Sequence, residues 1–237
     1  MKTRREVVGE RADFPETSWS VIRRARGEGV ARASLEELAS LYWRPIYWFI
    51  RARWRRSDED AKDLTQEFFI VLLERDTLRQ LRSEKIRFRA FLRACLENFL
   101  LSERRDRKRI KRGGKATIVP LEEVELAPPS PALTPEEVFD RAWAHSVLED
   151  SVASLREIYV TSGRELWWRL FEAYHLSATE TSYEACAAAH GVAVHDVHNR
   201  LRHARRLLQG LVRERVRDTL DDPADLESEL AFLERLA

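Results

Sequence analysis

An acidic window rich in proline lies near the middle of the chain and constrains its fold more than any other sequence feature. Five of the eight prolines lie in the window Ala116–Glu137, together with five Glu and neither Lys nor Arg. Proline cannot continue a helix and keeps the preceding residue extended, and this acidic, apolar-poor composition leaves little surface to bury. We therefore predict a flexible linker at 116–134 between two domains, 1–115 and 135–217, followed by an acidic tail at 218–237.

Outside this window, apolar residues recur at helical spacing in nearly every segment. The chain has only eight glycines and lacks the alternating runs that are typical of strands, whereas this spacing indicates helices that bury one face. We predict an all-α fold made of two small helical domains, the second with a helix-turn-helix. In the first domain, helices are expected to begin near Ser34, Ser57 and Phe88, and Pro45 is expected to kink the first of them. In the second domain, Thr134 begins a capping signal that continues with proline and two glutamates.

The stretch Ser182–Leu207 has the pattern of a helix-turn-helix. A short alanine-rich helix is followed by Gly191, which can adopt the positive φ that the turn needs. Val197 and Leu201 are expected to pack the second helix onto the core. The alternative is an ordinary helical hairpin with a solvated basic face. In either case the outward face would present His195, His198, Asn199, Arg202, His203 and Arg206.

Charge is segregated along the chain, although the formal net charge is only +1. The segments Leu101–Lys115 and Arg200–Arg217 each carry a net charge of +6, whereas Asp218–Ala237 carries −6. Basic helical segments are typical of DNA-binding surfaces, because phosphate contacts dominate affinity for DNA. The near-zero total therefore hides two candidate DNA-binding surfaces. The acidic tail is expected either to fold back on basic surface as an autoinhibitory or partner-binding helix, or to be a solvated helix.

The second helix of the first domain has an acidic polar face. This face consists of Asp60, Asp63, Gln66 and Glu67. Carboxylates that perform acid–base chemistry face each other in a cleft, whereas these line an outer surface. Two interpretations remain, a solvated face and an acidic docking surface.

No sequence pattern indicates catalysis, a metal or a cofactor. P-loop, GxGxxG, HExxH and GxSxG patterns are absent. The spacing of His190, His195 and His198 invites a zinc site, but the first two straddle the predicted turn and the nearby Cys186 fits the core. We therefore predict no metal, no cofactor and no enzymatic activity, and we expect Cys95 and Cys186 to be core thiols.

Membrane insertion and secretion are also not indicated. The longest stretch without Asp, Glu, Lys or Arg, Ala185–His195, is far shorter than the roughly 20 apolar residues of a membrane span. The charged N-terminus is not followed by the apolar block of a signal peptide. We therefore expect a cytoplasmic protein.

In combination, these motifs resemble the extracytoplasmic-function (ECF) sigma factors of bacterial RNA polymerase. The stretch Asp60–Phe69 resembles the family's region that docks on the polymerase clamp. Arg87–Leu92, followed by Asn98 and Glu103–Arg105, resembles its promoter-melting and −10-reading region. Ser182–Leu207 resembles region four, which reads the −35 element.

The resemblance implies a promoter-specificity subunit that binds core RNA polymerase and promoter DNA. Its polymerase-binding residues would be Asp60, Asp63, Gln66 and Glu67. Its −10 DNA-binding residues would be Arg87, Arg89, Arg93, Asn98, Arg104 and Arg105. Its −35 DNA-binding residues would be His195, His198, Asn199, Arg202, Arg205 and Arg206.

The resemblance also implies regulatory partners, and one alternative function remains open. An anti-sigma factor and a serine/threonine kinase are the regulatory partners that the resemblance implies. The alternative function is a stand-alone helix-turn-helix transcriptional regulator that acts without polymerase. Such a regulator would bind duplex DNA tightly in the absence of core polymerase.

Overall fold

A computed structural model describes residues 32–74, 88–106, 132–179, 181–220 and 222–236. Within these ranges the regular elements are all helical, and no strand occurs. The all-α prediction is therefore confirmed. Most of the predicted linker lies outside the described residues.

Eight α-helices form the described part of the chain. A π-helical turn at Glu172–Leu176 extends the fifth helix, and a short 3-10 turn at Pro223–Asp225 precedes the eighth. The helices are α1 (Arg32–Trp54), α2 (Asp58–Glu74), α3 (Phe88–Asp106), α4 (Pro135–Thr161), α5 (Glu165–Phe171), α6 (Tyr183–His190), α7 (Val194–Asp218) and α8 (Leu226–Leu236).

The helices of the first domain begin close to the expected positions, with one exception. α2 begins directly after Ser57, whose hydroxyl oxygen accepts a hydrogen bond from the Asp60 amide at 3.1 Å. α3 begins at Phe88. α1 begins at Arg32, so Ser34 lies inside the first turn and does not mark the start of the helix, which continues through Pro45.

A capping box starts α4 where the sequence predicts it. The Glu137 amide donates to the Thr134 hydroxyl oxygen at 3.2 Å, and the Glu137 carboxylate accepts from the Thr134 amide at 2.7 Å. The hydrogen bonds that this carboxylate accepts from the Thr134 amide and hydroxyl lower the pKa of Glu137. Pro135 occupies the first turn, where a missing N–H costs nothing. The start of α4 is therefore determined by local sequence.

The first hydrophobic core contains residues from both sides of the linker. α1, α2 and α3 pack together, and the first half of α4 and the C-terminal helix α8 complete the cluster. Its buried members include Tyr42, Phe49, Phe68, Phe88 and Leu92 from the first three helices, Phe139, Trp143 and Val147 from α4, and Leu226 and Leu233 from α8.

The second core surrounds the turn between α6 and α7. Leu155 and Tyr159, in the second half of α4, pack there with residues of α5, α6 and α7. With 27 residues, α4 is roughly 40 Å long, so it can contribute to both cores. The packing thus divides within α4 and not at the linker, and the domain boundaries drawn from the sequence remain a prediction.

Candidate nucleic-acid interface

The polar face of α2 is open to solvent at the predicted positions. Asp63 and Glu67 are exposed, and Asp60 and Gln66 are partly exposed. The opposite face of the helix packs into the first core. The fold therefore brings these four side chains together on one outer surface.

The start of α2 is fixed to α1 by a polar contact. The Tyr47 hydroxyl donates to the Asp58 carboxylate at 2.5 Å, and the Lys62 ammonium lies 3.1 Å from the same carboxylate. These two contacts lower the pKa of Asp58, and burial together with the Asp58 contact raises the pKa of Tyr47 to about 12. The contact orients the acidic face of α2 relative to the rest of the first core.

The predicted −10 residues on α3 differ in exposure. Asn98 is exposed, Arg93 is half-buried and Arg89 is buried. Arg89 has only 5% of its surface exposed, which is unusual for a residue expected to contact DNA. Arg87 and the side chains of Arg104 and Arg105 lie outside the described part of the chain.

The guanidinium of Arg89 is held by two acids from beyond the linker. Its Nε donates to the Glu229 carboxylate at 2.6 Å, and one terminal nitrogen donates to the Asp140 carboxylate at 2.8 Å. Its Cζ lies 4.6 Å from the ring centre of Trp143 and 4.3 Å from that of Phe232. Acids and aromatic rings thus enclose this arginine in the described arrangement.

A second arginine of α3 shares one of these acids. Arg93 donates to the other oxygen of Asp140 at 3.2 Å, so one carboxylate on α4 bridges Arg89 and Arg93. Farther along α4, the Arg44 guanidinium of α1 contacts Glu149 at 2.5 Å and His145 at 2.7 Å. Charged contacts therefore join α4 to both α1 and α3.

Sequence reasoning missed Asp140 and Glu229 as partners of α3. A signal for Glu229 exists, because it lies at helical spacing between Leu226 and Leu233, on the apolar stripe of α8. An acid on such a stripe is buried with the stripe and needs a cationic partner. The spacing indicates that a partner exists, but not which cation it is.

A sharp turn connects α6 to α7. The Ser182 hydroxyl oxygen accepts a hydrogen bond from the Ala185 amide at 3.1 Å and caps α6. Gly191 ends this helix with φ of 64°, and the next residue, Val192, donates its amide to Ala187 at 3.1 Å. This φ lies in the left-handed region that glycine adopts without strain, as the sequence predicts.

α7 has one buried face and one polar, exposed face. Val197, Leu201 and Ala204 are fully buried in the second core. The predicted −35 residues that are exposed on the other face are His195, His198, Asn199, Arg202 and Arg206.

Arg205 differs from these residues, because it is partly buried and hydrogen-bonded within the protein. Its Nε donates to His175 Nε2 at 3.1 Å, and a terminal nitrogen donates to the Tyr183 hydroxyl at 3.2 Å. Burial, followed by the charge of Arg205, lowers the pKa of His175. The position of Arg205 four residues after Leu201, toward the buried side of α7, is the signal that could have indicated this contact.

Two exposed histidines of α7 also make ring contacts. His198 stacks on Tyr183 with ring centres 3.9 Å apart. His203 lies 3.0 Å from the Tyr159 hydroxyl through Nδ1 and meets the Trp167 ring edge-on at 5.1 Å. These contacts restrict the orientation of both imidazoles on the polar face of α7.

The described residues contain neither a cluster suited to a metal ion nor a helix suited to a membrane span. No group of three or more His, Cys, Asp or Glu side chains there is arranged to hold a metal ion. Cys95 and Cys186 are free thiols, and burial raises the pKa of both. None of the described helices combines the length and the apolar composition that a membrane span requires.

Comparison with protein families matches residues 37–214 to the family described as ECF sigma factor. Comparisons with curated proteins and with solved structures find no match. The matched region covers more than half of the chain and includes both the acidic face of α2 and the polar face of α7. Sigma factors are non-enzymatic proteins of transcription initiation. The chain belongs to the ECF sigma factor family.

Proposed function

We propose that this chain binds core RNA polymerase and directs promoter recognition and DNA melting. The observation that carries the proposal is the family match over residues 37–214, a range that spans the acidic face of α2 and the polar face of α7. The acidic face of α2 would bind polymerase, and the basic faces of α3 and α7 would bind DNA.

Polymerase docking is assigned to Asp60, Asp63, Gln66 and Glu67. Support comes from the exposure of Asp63 and Glu67 on the outside of the first core. An acidic surface of this kind would meet a basic surface of the polymerase. Complementary charge increases the association rate and excludes wrong partners, since like charges in an interface cost several kcal/mol.

Recognition of the −35 element is assigned to α7 in the major groove. His198, Asn199 and Arg202 would approach base edges, with His195 beside them at the start of the helix, because Asn and Arg side chains read bases by hydrogen bonds. Arg206 would contact phosphate. The hydrogen bonds of Arg205 to α6 and to the π-helical turn favour a positioning role for that residue.

Recognition and melting of the −10 element are assigned to α3 and the residues that flank it. Arg93 and Asn98 would contact the separated strands, together with Arg89 once its guanidinium is accessible. Extraction of a base from the stack costs a few kcal/mol, which phosphate contacts by basic residues help to offset. The remaining candidates for these contacts are Arg87, Arg104 and Arg105.

Charge reversal on α2 tests the assignment of polymerase docking. The variant Asp63→Arg with Glu67→Arg should weaken binding to purified bacterial core polymerase by roughly a hundredfold or more, since like charges would then face each other. A matched control is Glu136→Arg with Glu157→Arg, which changes the charge equally at exposed positions of α4. Equal affinities for the two variants would contradict the assignment.

In vitro transcription tests the function as a whole. Core polymerase supplemented with the chain should start transcription at discrete sites on genomic templates, and the upstream sequences of those sites should share two elements. Tight binding to duplex DNA without core polymerase, combined with no start sites, would favour the stand-alone regulator.

A further inference from the structure

We propose that α8 is an autoinhibitory helix that covers Arg89, a candidate −10 DNA-binding residue of α3, in the free chain. This inference rests on the proposed function, because it assumes that Arg89 binds promoter DNA. In the closed arrangement, α8 and the first half of α4 occupy the surface of α3 that DNA would need.

The first argument is the enclosure of Arg89. Glu229 of α8 and Asp140 of α4 accept its hydrogen bonds at 2.6 and 2.8 Å, and the rings of Trp143 and Phe232 cover its guanidinium. The Glu229 carboxylate is itself only 1% exposed. A phosphate cannot reach Arg89 unless α8 moves.

The second argument is the chemical similarity between the Glu229 carboxylate and a DNA phosphate. A carboxylate and a phosphate are both oxyanions that a guanidinium binds through charge-assisted hydrogen bonds. Glu229 therefore fills the position that a phosphate oxygen of the DNA would take beside Arg89. Competition between the two is expected, since Arg89 Nε can serve only one of them at a time.

The third argument concerns the stability of the closed arrangement. α8 is anchored by Leu226 and Leu233 in the first core and by an exterior ion pair between Glu227 and Arg213 of α7. A buried ion pair adds little net stability, because desolvation of both charges offsets their attraction. The short helix can therefore be displaced by DNA or by the polymerase complex.

The fourth argument is that the closed arrangement leaves the polymerase-binding face accessible. Asp63 and Glu67 are exposed while α8 is docked. Core polymerase can thus bind first and DNA can bind after α8 is released. Such an order would prevent the free chain from occupying DNA without polymerase.

The test uses the full-length chain with two variants that weaken the docking of α8. Glu229→Gln removes the charge that pairs with Arg89, and Glu227→Lys places a cation next to Arg213 on the exterior, where folding is not at risk. Glu234→Lys is the matched control for Glu227→Lys, because it makes the same charge change at another exposed position of α8. Far-UV circular dichroism and thermal unfolding establish that each variant is folded.

Two affinities are measured for each variant. Fluorescence anisotropy with a short labelled single-stranded DNA of random sequence measures DNA binding, and a pull-down titration with purified bacterial core polymerase measures docking. Glu229→Gln should bind the DNA roughly tenfold more tightly than the wild type, because a larger fraction of the chain is open. Glu227→Lys should bind it roughly threefold more tightly, and Glu234→Lys should show a smaller increase than Glu227→Lys. Affinity for core polymerase should remain unchanged in all three.

The possible outcomes separate this inference from the proposed function. Normal core binding with equal DNA affinity in the wild type, Glu229→Gln and Glu227→Lys would overturn the autoinhibitory role and leave the proposed function standing. An equal increase in DNA affinity for Glu227→Lys and Glu234→Lys, with none for Glu229→Gln, would also overturn the autoinhibitory role. Such a result would mean that the added positive charge, and not the release of α8, strengthens DNA binding. A complete lack of core and DNA binding in every folded variant would overturn both.

Discussion

The Nε atom of Arg89 donates a hydrogen bond to Glu229 at 2.6 Å, although the two residues are 140 positions apart in the sequence. Arg89 lies in the first turn of α3, the helix that is proposed to bind the −10 element, and Glu229 lies in α8. The contact therefore joins α3 to α8 through one buried ion pair. If α8 is autoinhibitory as proposed, this ion pair would have to break before Arg89 could contact promoter DNA.

Trp143 is expected to be a major source of stability for the first core. It is fully buried and packs under the guanidinium of Arg89. Trp143→Ala should lower the free energy of unfolding by about 3–5 kcal/mol, because a large cavity would form. Chemical denaturation measures this loss. Ile158→Ala, at an exposed position of the same helix, should change it by less than about 1 kcal/mol, and an equal loss in both variants would contradict the prediction.

Two glycines should respond in opposite directions to the same substitution. Gly191 has a φ of +64°, whereas Gly210 lies inside α7 without a positive φ, and a Cβ would meet nothing within 4 Å at either position. Gly191→Ala should destabilise the protein by about 1 kcal/mol or more through backbone strain. Gly210→Ala should stabilise it by about 0.5–1 kcal/mol, because alanine favours the helix. Thermal unfolding of both variants measures the signs, and equal signs would contradict the backbone argument.

Adjacent arginines on α7 should have separable roles. Arg206 is exposed, whereas Arg205 is hydrogen-bonded to His175 and Tyr183. Arg206→Ala should weaken binding to duplex DNA without a change in melting temperature, because only a phosphate contact is lost. Arg205→Ala removes the same charge but should also lower the free energy of unfolding by about 1 kcal/mol, since two hydrogen bonds are lost. If melting temperatures are unchanged in both variants, the positioning role of Arg205 is wrong.

Stability should decrease on mild acidification because of His175. Burial and the nearby Arg205 lower its pKa, so the folded state disfavours the protonated imidazole. The unfolded state then binds more protons as the pH falls below about 6.5, and the contribution is lost between that pH and the lowered pKa. Denaturation across this pH range should show the decrease.

A pair of histidine variants isolates this effect. His175→Gln should reduce the pH dependence of stability, because the group that titrates against Arg205 is gone. His195→Gln, which leaves the contact between His175 and Arg205 intact, should retain it. An unchanged pH profile in His175→Gln would assign the dependence to other groups.

The helices can be predicted from the sequence because local interactions specify them. Apolar spacing predicts an all-α chain, the Thr134–Glu137 capping box predicts where α4 begins, and Gly191 predicts the turn before α7. Each of these sequence features affects the backbone conformation of residues that lie close to it in the sequence. Propensity, capping and φ preference can therefore be read without knowledge of the remaining chain.

Exposure on a helix was only partly predictable. Periodicity correctly separates the exposed Asp63 and Arg202 from the buried Leu64 and Leu201. It does not identify Arg205 as partly buried or Arg89 as buried, because a long cationic side chain can lie at the edge of an apolar stripe and bind a partner on another helix. Exposure of the candidate site residues is therefore predicted best on the helix face opposite the core and least well at the edges of the apolar stripe.

The way in which the two halves of the chain pack together is visible only in three dimensions. The sequence favours separate domains on either side of the linker, yet Trp143 and Leu233 complete the first core, and Asp140 and Glu229 neutralise Arg89. These pairings depend on packing between distant segments and on the desolvation of charges, and neither has a local signature. The sequence thus specifies which surfaces are basic and acidic, while the three-dimensional arrangement determines which of them are covered.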